Sequence, residues 1–244
     1  MQNFKVTIQY DGTNYHGWQI QPNGRTVQGE ITNALSILDH RPVTVYGAGR
    51  TDAGVHAEGQ IANFFVERSF EPVLLRDALN GNLDRDIRVL EVVPVSDAFN
   101  ARYSATKKTY RYRIWTRDVV SPFVYRYVYH YRSGLEVDEM RRAATALIGT
   151  HDFTAFTVAS SDAEDHVRTL MDVDIACDED EISISVSADG FLRYMVRTIV
   201  GTMIEVGRGK RTASSVAVTL ESLDRASAGP SAPANGLTLL RVDY

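Results

Sequence analysis

Short strand-like segments recur along the whole chain, and they constrain its fold more than any other feature. In FKVTIQY, residues 4–10, apolar and polar side chains alternate until the turn signal Asp11-Gly12. This alternation predicts a strand with one buried face. Further strands are predicted at residues 43–50, 60–66, 87–95, 109–116, 167–177, 181–189 and 237–244. Both halves of the chain must therefore contain sheet.

Helical patterns lie between these strands. The segment TVQGEITNALSILD carries apolar residues at i, i+4, i+8 and i+11 from Val27, and Thr26 is a predicted N-cap. Further helices are predicted at residues 72–79, 137–149 and 191–209. Hairpin-paired strands with helices on one face favour an α+β sandwich over a doubly wound parallel sheet.

The periodic pattern lapses between residues 97 and 105, and a new set of elements begins at Lys108. We therefore predict two α+β halves, residues 1–104 and 105–244, each with a mixed, mainly antiparallel sheet flanked by helices. The segment SAGPSAPANG, residues 227–236, is short enough to be a connecting loop.

The charge balance argues against a generally cationic nucleic-acid-binding protein. The chain has 26 Lys and Arg against 31 Asp and Glu, a net charge of −5. Basic residues nevertheless gather between Arg102 and Arg117. The single cysteine, Cys177, excludes an intrachain disulfide. No apolar run approaches the roughly 20 residues of a membrane span, so we expect a cytoplasmic protein without a membrane partner.

The run GRTDAGVH, from Gly49 to His56, places one carboxylate, Asp52, among small residues. Glycine and alanine neighbours predict a tight loop against which a bulky substrate can lie. Arg50, two positions before Asp52, would favour the ionised carboxylate and hold it ready for nucleophilic or proton-transfer chemistry. The alternative is an ordinary surface turn with a structural Arg/Asp pair.

The predicted strand TYRYRIWT carries aromatic and basic side chains together. Period two places Tyr110 and Tyr112 on one face, and Arg111 and Arg113 on the other. Base stacking on one face and phosphate contact on the other is one way to hold RNA. A half-buried strand with tyrosines in the core and arginines in solvent is the alternative.

In the predicted helix from residue 191, Phe191, Met195 and Ile199 form an apolar stripe, and Arg193 and Arg197 share the neighbouring face. These arginines either bind phosphate or a carboxylate, or form a solvated face. The six histidines lack metal-ligand spacing, so we expect no metal site. His56 is expected to orient the Asp52 loop by hydrogen bonding rather than act as a general base.

Six separated blocks, in this order, resemble the tRNA pseudouridine synthase family. They are YDGTNYHGWQ, GRTDAGVHAEGQ, FNARYSATKKTYRY, HDFTAF, FLRYMVRTIVG and GLTLLRVDY, and they span nearly the whole chain. One departure is Leu192-Arg193-Tyr194, where many relatives carry other polar or aromatic residues. It weakens any role for Arg193 more than it weakens Asp52.

The resemblance implies the roles of individual residues. Asp52 would be the catalytic residue, with Arg50 paired to it and helping to take the place of a flipped base. Tyr110 would stack on the target uracil and Leu237 would pack on its other side, while Arg197 would lie near the active-site carboxylate. The remaining residues assigned to substrate binding are His56, Lys107, Lys108 and Arg111.

The resemblance also implies two α+β halves with an active-site cleft between them, a homodimer in which one tRNA contacts both subunits, and no cofactor or metal. The expected reaction is isomerisation of uridine at positions 38, 39 and 40 of the anticodon stem-loop. Asp52 would attack the ribose or remove a proton from the neighbouring sugar carbon. A non-catalytic tRNA-binding protein and a nucleoside hydrolase are the alternatives.

Overall fold

The computed structural model describes residues 1–158 and 165–244, and contacts divide this part of the chain into two units. The first comprises Met1–Thr106 with Leu239–Tyr244, and the second comprises Lys107–Thr238. The sequence predicts the last strand in the second half, residues 105–244, whereas most of this strand belongs to the first unit. The physical reason is that residues 239–244 contact mainly the first unit, in which this strand pairs with residues 56–66.

The first unit combines a mainly antiparallel sheet with two helices. Its elements are β1 (Gln2–Tyr10), α1 (Val27–Asp39), β2 (Val45–Gly47), β3 (His56–Val66), α2 (Pro72–Asn82), β4 (Ile87–Val95) and the larger part of β10 (Leu237–Asp243). The strand order is β4-β1-β3-β10, and β2 also pairs with β3. The pairs of β1 with β3 and β4, and of β2 with β3, are antiparallel.

Residue patterns account for these elements. The apolar residues of β1 are buried, and Phe4, Val6 and Ile8 are fully inaccessible to solvent. The predicted N-cap of α1 is confirmed, because the Thr26 side chain accepts a hydrogen bond from the backbone N–H of Gly29. Helix α2 begins at Pro72 as predicted, since a first-turn proline loses no helical hydrogen bond.

The second unit contains a sheet of order β5-β9-β8-β7, with β6 parallel to β5. Its elements are β5 (Lys107–Trp115), β6 (Tyr129–His130), α3 (Val137–Ala144), β7 (Gly149–Asp152), β8 (Val167–Cys177), β9 (Glu181–Ala188), α4 (Met195–Gly207) and α5 (Ser215–Ser222). The β5/β9, β8/β9 and β7/β8 pairs are antiparallel. The α+β class is thereby confirmed.

The long helix predicted from residue 191 is wrong in its first turn. Helix α4 begins only at Met195, because Tyr194 has a left-handed backbone with φ 62° that no α-helix continues through. Phe191 and Arg193 therefore precede the helix, and Arg193 and Arg197 do not share a helical face. Residues 195–207 are almost entirely buried, as the apolar pattern predicts.

The structure differs from the sequence-based predictions in several shorter elements. The strand predicted over residues 43–50 is only three residues long, and α3 ends at Ala144 in a 3-10 turn over Thr145–Leu147. The sequence analysis missed α5, β6 and β7, which are short. No helix in the described ranges is both long enough and apolar enough to cross a bilayer.

Candidate active site

The Asp52 loop, residues 49–55, connects β2 to β3. It turns through Gly54, whose φ of 79° is in the left-handed region that glycine tolerates. The turn is closed by a hydrogen bond from the N–H of Val55 to the carbonyl of Asp52, 3.1 Å long. Asp52 is half-buried and Arg50 is exposed. The predicted tight loop is therefore present, and the pairing of Arg50 with Asp52 stays a prediction.

A second segment, Gly12–Trp18, lies against the Asp52 loop and supports it. The N–H of Trp18 donates to the carbonyl of Thr51 at 3.1 Å, and the N–H of Gly54 donates to the carbonyl of Tyr15 at 3.3 Å. The Trp18 ring is buried against Tyr10, with ring centroids 6.3 Å apart. Backbone bonds thus fix the loop on both sides of Asp52.

Two glycines allow this close approach. A Cβ on Gly12 would lie 2.0 Å from the carbonyl oxygen of Val55, and a Cβ on Gly17 would lie 2.5 Å from the carbonyl oxygen of Thr51. Gly17 also has a positive φ of 89°. Because the obstructing atoms are backbone atoms of the loop, any larger residue must push the loop away.

Replacing Gly17 by alanine should therefore lower both stability and turnover. Strain from the positive φ costs about 1–2 kcal/mol, and the backbone overlap adds about 1–3 kcal/mol. Gly209→Ala is a matched control, because Gly209 has a φ of 69° but no atom within 4 Å of the added Cβ. Urea unfolding and kcat measure the two effects. Equal losses in both variants would contradict the proposed support of the loop.

Side-chain hydrogen bonds also hold the Asp52 loop. The Tyr10 hydroxyl and the Thr51 hydroxyl share a buried hydrogen bond of 2.8 Å, and the Gln60 amide donates to the carbonyl of Gly49 at 2.9 Å. Burial raises the pKa of Tyr10 to about 12, so its hydroxyl remains protonated near neutral pH. The residues on either side of Arg50 are thereby anchored.

His56 begins β3 and is 3% exposed. Its Nδ1 accepts a hydrogen bond from the N–H of Gly12 at 3.0 Å, and the same atom lies 3.2 Å from the Asp11 carboxylate. One Nδ1 cannot accept from Gly12 and donate to Asp11 at once, so the position of the ring proton decides which of the two contacts is a hydrogen bond. This hydrogen bond joins His56 to the supporting segment, and the burial leaves little surface for substrate. The orienting role of His56 stays a prediction.

In the second unit, Tyr110 lies on β5 and is 6% exposed. The predicted alternation of β5 is confirmed, because Tyr110, Tyr112 and Ile114 are buried. The Tyr110 ring meets Phe191 edge-on, with centroids 5.1 Å apart. Tyr112 is a core residue whose hydroxyl donates to the carbonyl of Pro233 at 2.8 Å. The two tyrosines of one face therefore differ in their surroundings.

Arg197 lies in the first turn of α4. Its Nε donates to the carbonyl of Ala232 at 2.7 Å, and its guanidinium carbon lies 4.7 Å from the Tyr194 ring centroid. The left-handed backbone of Tyr194 precedes this turn. Burial raises the pKa of Tyr112, and the positive charge of Arg197 partly offsets the increase. Arg197 is thus fixed beside the loop of residues 227–236, near the Tyr112 hydroxyl.

That loop packs closely on the helix. A Cβ on Gly201 would lie 1.7 Å from the carbonyl oxygen of Pro230, and one on Gly236 would lie 2.6 Å from the Tyr112 ring. Leu237, which follows, is 5% exposed. The other residues assigned to substrate binding in this unit, Lys107, Lys108 and Arg111, are half-buried on β5.

The structure therefore groups the predicted site residues in two sets. One loop of the first unit carries Arg50 and Asp52, with His56 at the start of the next strand. The second unit carries Tyr110, Arg197 and Leu237. The residues that support the loop have no role predicted from the sequence, although their block is part of the resemblance. They are Tyr10, Gly12, Tyr15, Gly17 and Trp18.

In residues 1–158 and 165–244, no three or more His, Cys, Asp or Glu side chains gather as they would to hold a metal ion. The predicted site residues supply carboxylate, guanidinium and phenol groups. A carboxylate on a tightly held loop suits nucleophilic attack or proton abstraction, and an edge-packed tyrosine suits contact with a planar ring.

Comparison with known proteins relates the chain to one family. The model of the family described as tRNA pseudouridine synthase matches residues 6–104 and 143–244. The tRNA pseudouridine synthase A of Halalkalibacterium halodurans is 47% identical over 238 residues, covering 97% of this chain and 90% of the relative. The protein of that name from a Bacillus species is 44% identical over 245 residues, covering 100% of each chain.

Similarity to solved structures is weaker. A crystal structure of the archaeal box H/ACA sRNP Nop10–Cbf5 complex aligns with a TM-score of 0.39 and 10% sequence identity. The alignment covers 97% of this chain and 48% of that one.

Proposed function

Because the chain belongs to the tRNA pseudouridine synthase family, we propose that it is an isomerase that converts uridine to pseudouridine in tRNA. The family match covers both units, and the relatives named tRNA pseudouridine synthase A align over nearly the full chain. The observation that carries the chemistry is the placement of Asp52 on a loop held by the Gly12–Trp18 segment. A carboxylate fixed in this way repels phosphate groups, so it does not suit a protein that only binds tRNA.

We assign the target uridines to positions 38, 39 and 40 of the anticodon stem-loop. The family resemblance supports this assignment, and so does the energy of base flipping. The target base must leave the helical stack before the enzyme can reach the ribose carbon that carries it. This flipping costs a few kcal/mol, and the cost is smallest near a loop or a stem end. The anticodon arm offers such positions.

The reaction breaks the bond between ribose C1′ and uracil N1 and forms a bond between C1′ and uracil C5. The uracil must turn between these steps while it stays in the site. The proton on C5 leaves, and N1 gains a proton, so the product is an isomer of the substrate. No oxidant, reductant or added water enters this balance, and the proposal needs no cofactor.

Asp52 has two possible roles in this sequence. As a nucleophile it would attack C1′ and release uracil, and the ester would then be displaced by C5. As a base it would remove the proton on C2′ and give a glycal intermediate. Each route requires the Asp52 carboxylate oxygen close to the ribose. The loop contacts described above hold the backbone that carries this side chain in place.

We assign the second set of residues to the base. Tyr110 would stack on the loose uracil and relay the proton from C5, since its ring is already oriented by Phe191. Leu237 would pack on the other face of the base. Arg197 would interact with the active-site carboxylate, and its hydrogen bond to Ala232 limits its movement. Lys107, Lys108 and Arg111 would contact phosphates.

We also infer a homodimer in which one tRNA contacts both subunits. The family resemblance supports this inference.

The test uses unmodified tRNA carrying uridine tritiated at C5. The proposal predicts release of tritium to water without free uracil. Free uracil would instead identify a nucleoside hydrolase, and tRNA binding without either product would identify a binding protein. Sequencing the modified positions then checks the assignment to positions 38–40.

A further inference from the structure

A turn at residues 100–104 displays an aromatic ring that the proposed chemistry does not use. Tyr103 is 80% exposed, although large aromatic side chains are usually at least partly covered. The guanidinium carbon of Arg102 lies 5.6 Å from the Tyr103 ring centroid. An exposed ring and an exposed guanidinium therefore stand together at the end of the first unit's continuous segment.

The backbone beneath this ring is fixed by local hydrogen bonds. The Asn100 side-chain oxygen accepts from the N–H of Arg102 at 2.9 Å and from the N–H of Tyr103 at 3.2 Å. The N–H of Ser104 donates to the carbonyl of Asn100, and the Ser104 hydroxyl accepts from the N–H of Asn100. The ring is thus carried on a closed turn rather than on an open loop.

Buried amides anchor the turn to the sheet. Asn63, with no exposed surface, accepts from the N–H of Ala101 at 2.9 Å and donates to the side-chain oxygen of Asn3 at 3.0 Å. Asn3 donates in turn to the carbonyls of Ser96 and Phe99. Buried amides are costly unless every group is paired, and this network pairs them with the backbone around the turn. Tyr103 is therefore held outward on a rigid support.

The charge around this turn identifies the kind of ligand. From Ala98 to Tyr112 the chain has no acidic residue, while it has four basic residues, Arg102, Lys107, Lys108 and Arg111. Arg113 and Arg117, which follow, are instead paired with Glu181 and with Glu179 and Asp180. This local excess of positive charge contrasts with the acidic chain as a whole, and it complements a phosphate backbone.

We propose that Tyr103 and Arg102 form a stacking platform for an unpaired base of the substrate RNA, separate from the target uridine. The inference rests on the proposed tRNA substrate. A tyrosine ring offers a flat face to any base, and an arginine beside it contacts the adjacent phosphate or stacks on the same base. Because the turn is preorganised, the RNA gains this contact without ordering a loop.

The test measures tRNA binding and turnover of the full chain with substitutions at residue 103. Tyr103→Ala and Tyr103→Leu should each raise KM, and the Kd for fully modified tRNA, by about tenfold to a hundredfold. Tyr103→Phe and Tyr103→Trp should remain within about threefold of the wild type, because each keeps a stacking face. The rate of a saturated single turnover should be unchanged in all four variants.

The leucine variant separates stacking from burial of apolar surface. If Tyr103→Leu binds tRNA as well as the phenylalanine variant does, the platform is refuted. If Tyr103→Ala leaves Kd unchanged but alters the oligomeric state in sedimentation, Tyr103 contacts protein instead of RNA, and the inference fails. Fully modified tRNA cannot turn over, so its Kd reports binding alone. A wild type that binds it through Tyr103 but releases no tritium from unmodified tRNA would refute the proposed function and leave this inference standing.

Discussion

Replacing Asp52 by asparagine should abolish pseudouridine formation while tRNA binding remains. The amide has nearly the shape of the carboxylate, so the loop contacts through Thr51 and Gly54 persist. It is neither an effective nucleophile at C1′ nor a base at C2′, and both routes lose their reacting group. We expect a fall in turnover of at least about 10³-fold, measured by tritium release, with the Kd for modified tRNA near the wild-type value.

Asp97→Asn is the matched control, since Asp97 is an exposed carboxylate of the same unit. It removes the same charge from the protein, and its turnover should equal that of the wild type. Activity of Asp52→Asn close to the wild-type value would refute the assignment of Asp52. A parallel loss of tRNA binding would indicate a role in holding RNA instead.

Tyr110→Phe should reduce turnover by about 10²-fold and leave KM almost unchanged. The substitution keeps the ring that meets Phe191 edge-on and keeps the stacking face, but it removes the hydroxyl that would relay the C5 proton. Single-turnover tritium release separates this chemical step from product release. A single-turnover rate equal to that of the wild type would exclude Tyr110 as the proton relay.

Tyr112→Phe provides a comparison on the same face of β5. Its hydroxyl donates to the carbonyl of Pro233 within the core. Loss of this bond should lower the free energy of unfolding by about 1 kcal/mol, with little effect on the chemical step. If both variants lost stability and neither lost turnover, the two tyrosines would be equivalent core residues.

Much of the fold could be predicted because single-sequence patterns determine local structure. Strands β1, β4, β8 and β9 and helices α1 and α2 have clear periodicity with caps or turns at their ends. The start of α4 could not be predicted, because a left-handed tyrosine has no sequence signal. The tertiary pairing of β10 with β3 joins residues far apart in sequence, and no local pattern encodes it.

The candidate site shows the same division. Asp52 stood out because small residues surround it, and Tyr110 because β5 alternates. The supporting residues do not stand out in the sequence. Gly12 and Gly17 matter because they have no side chain, which lets the backbone of Val55 and Thr51 come close to them. The role of such a glycine depends on which backbone approaches it, and that is known only once the chain has folded.

The position of β10 also bears on how the chain folds during synthesis. The second unit is one continuous segment, Lys107–Thr238, so all of it has been synthesised once residue 238 has left the ribosome. The first unit needs Leu239–Tyr244, which follow the second unit in sequence, to cover the edge of β3. Until then this edge offers unpaired backbone groups to any neighbouring strand. The unit that carries Asp52 therefore starts before the second unit and is completed after it.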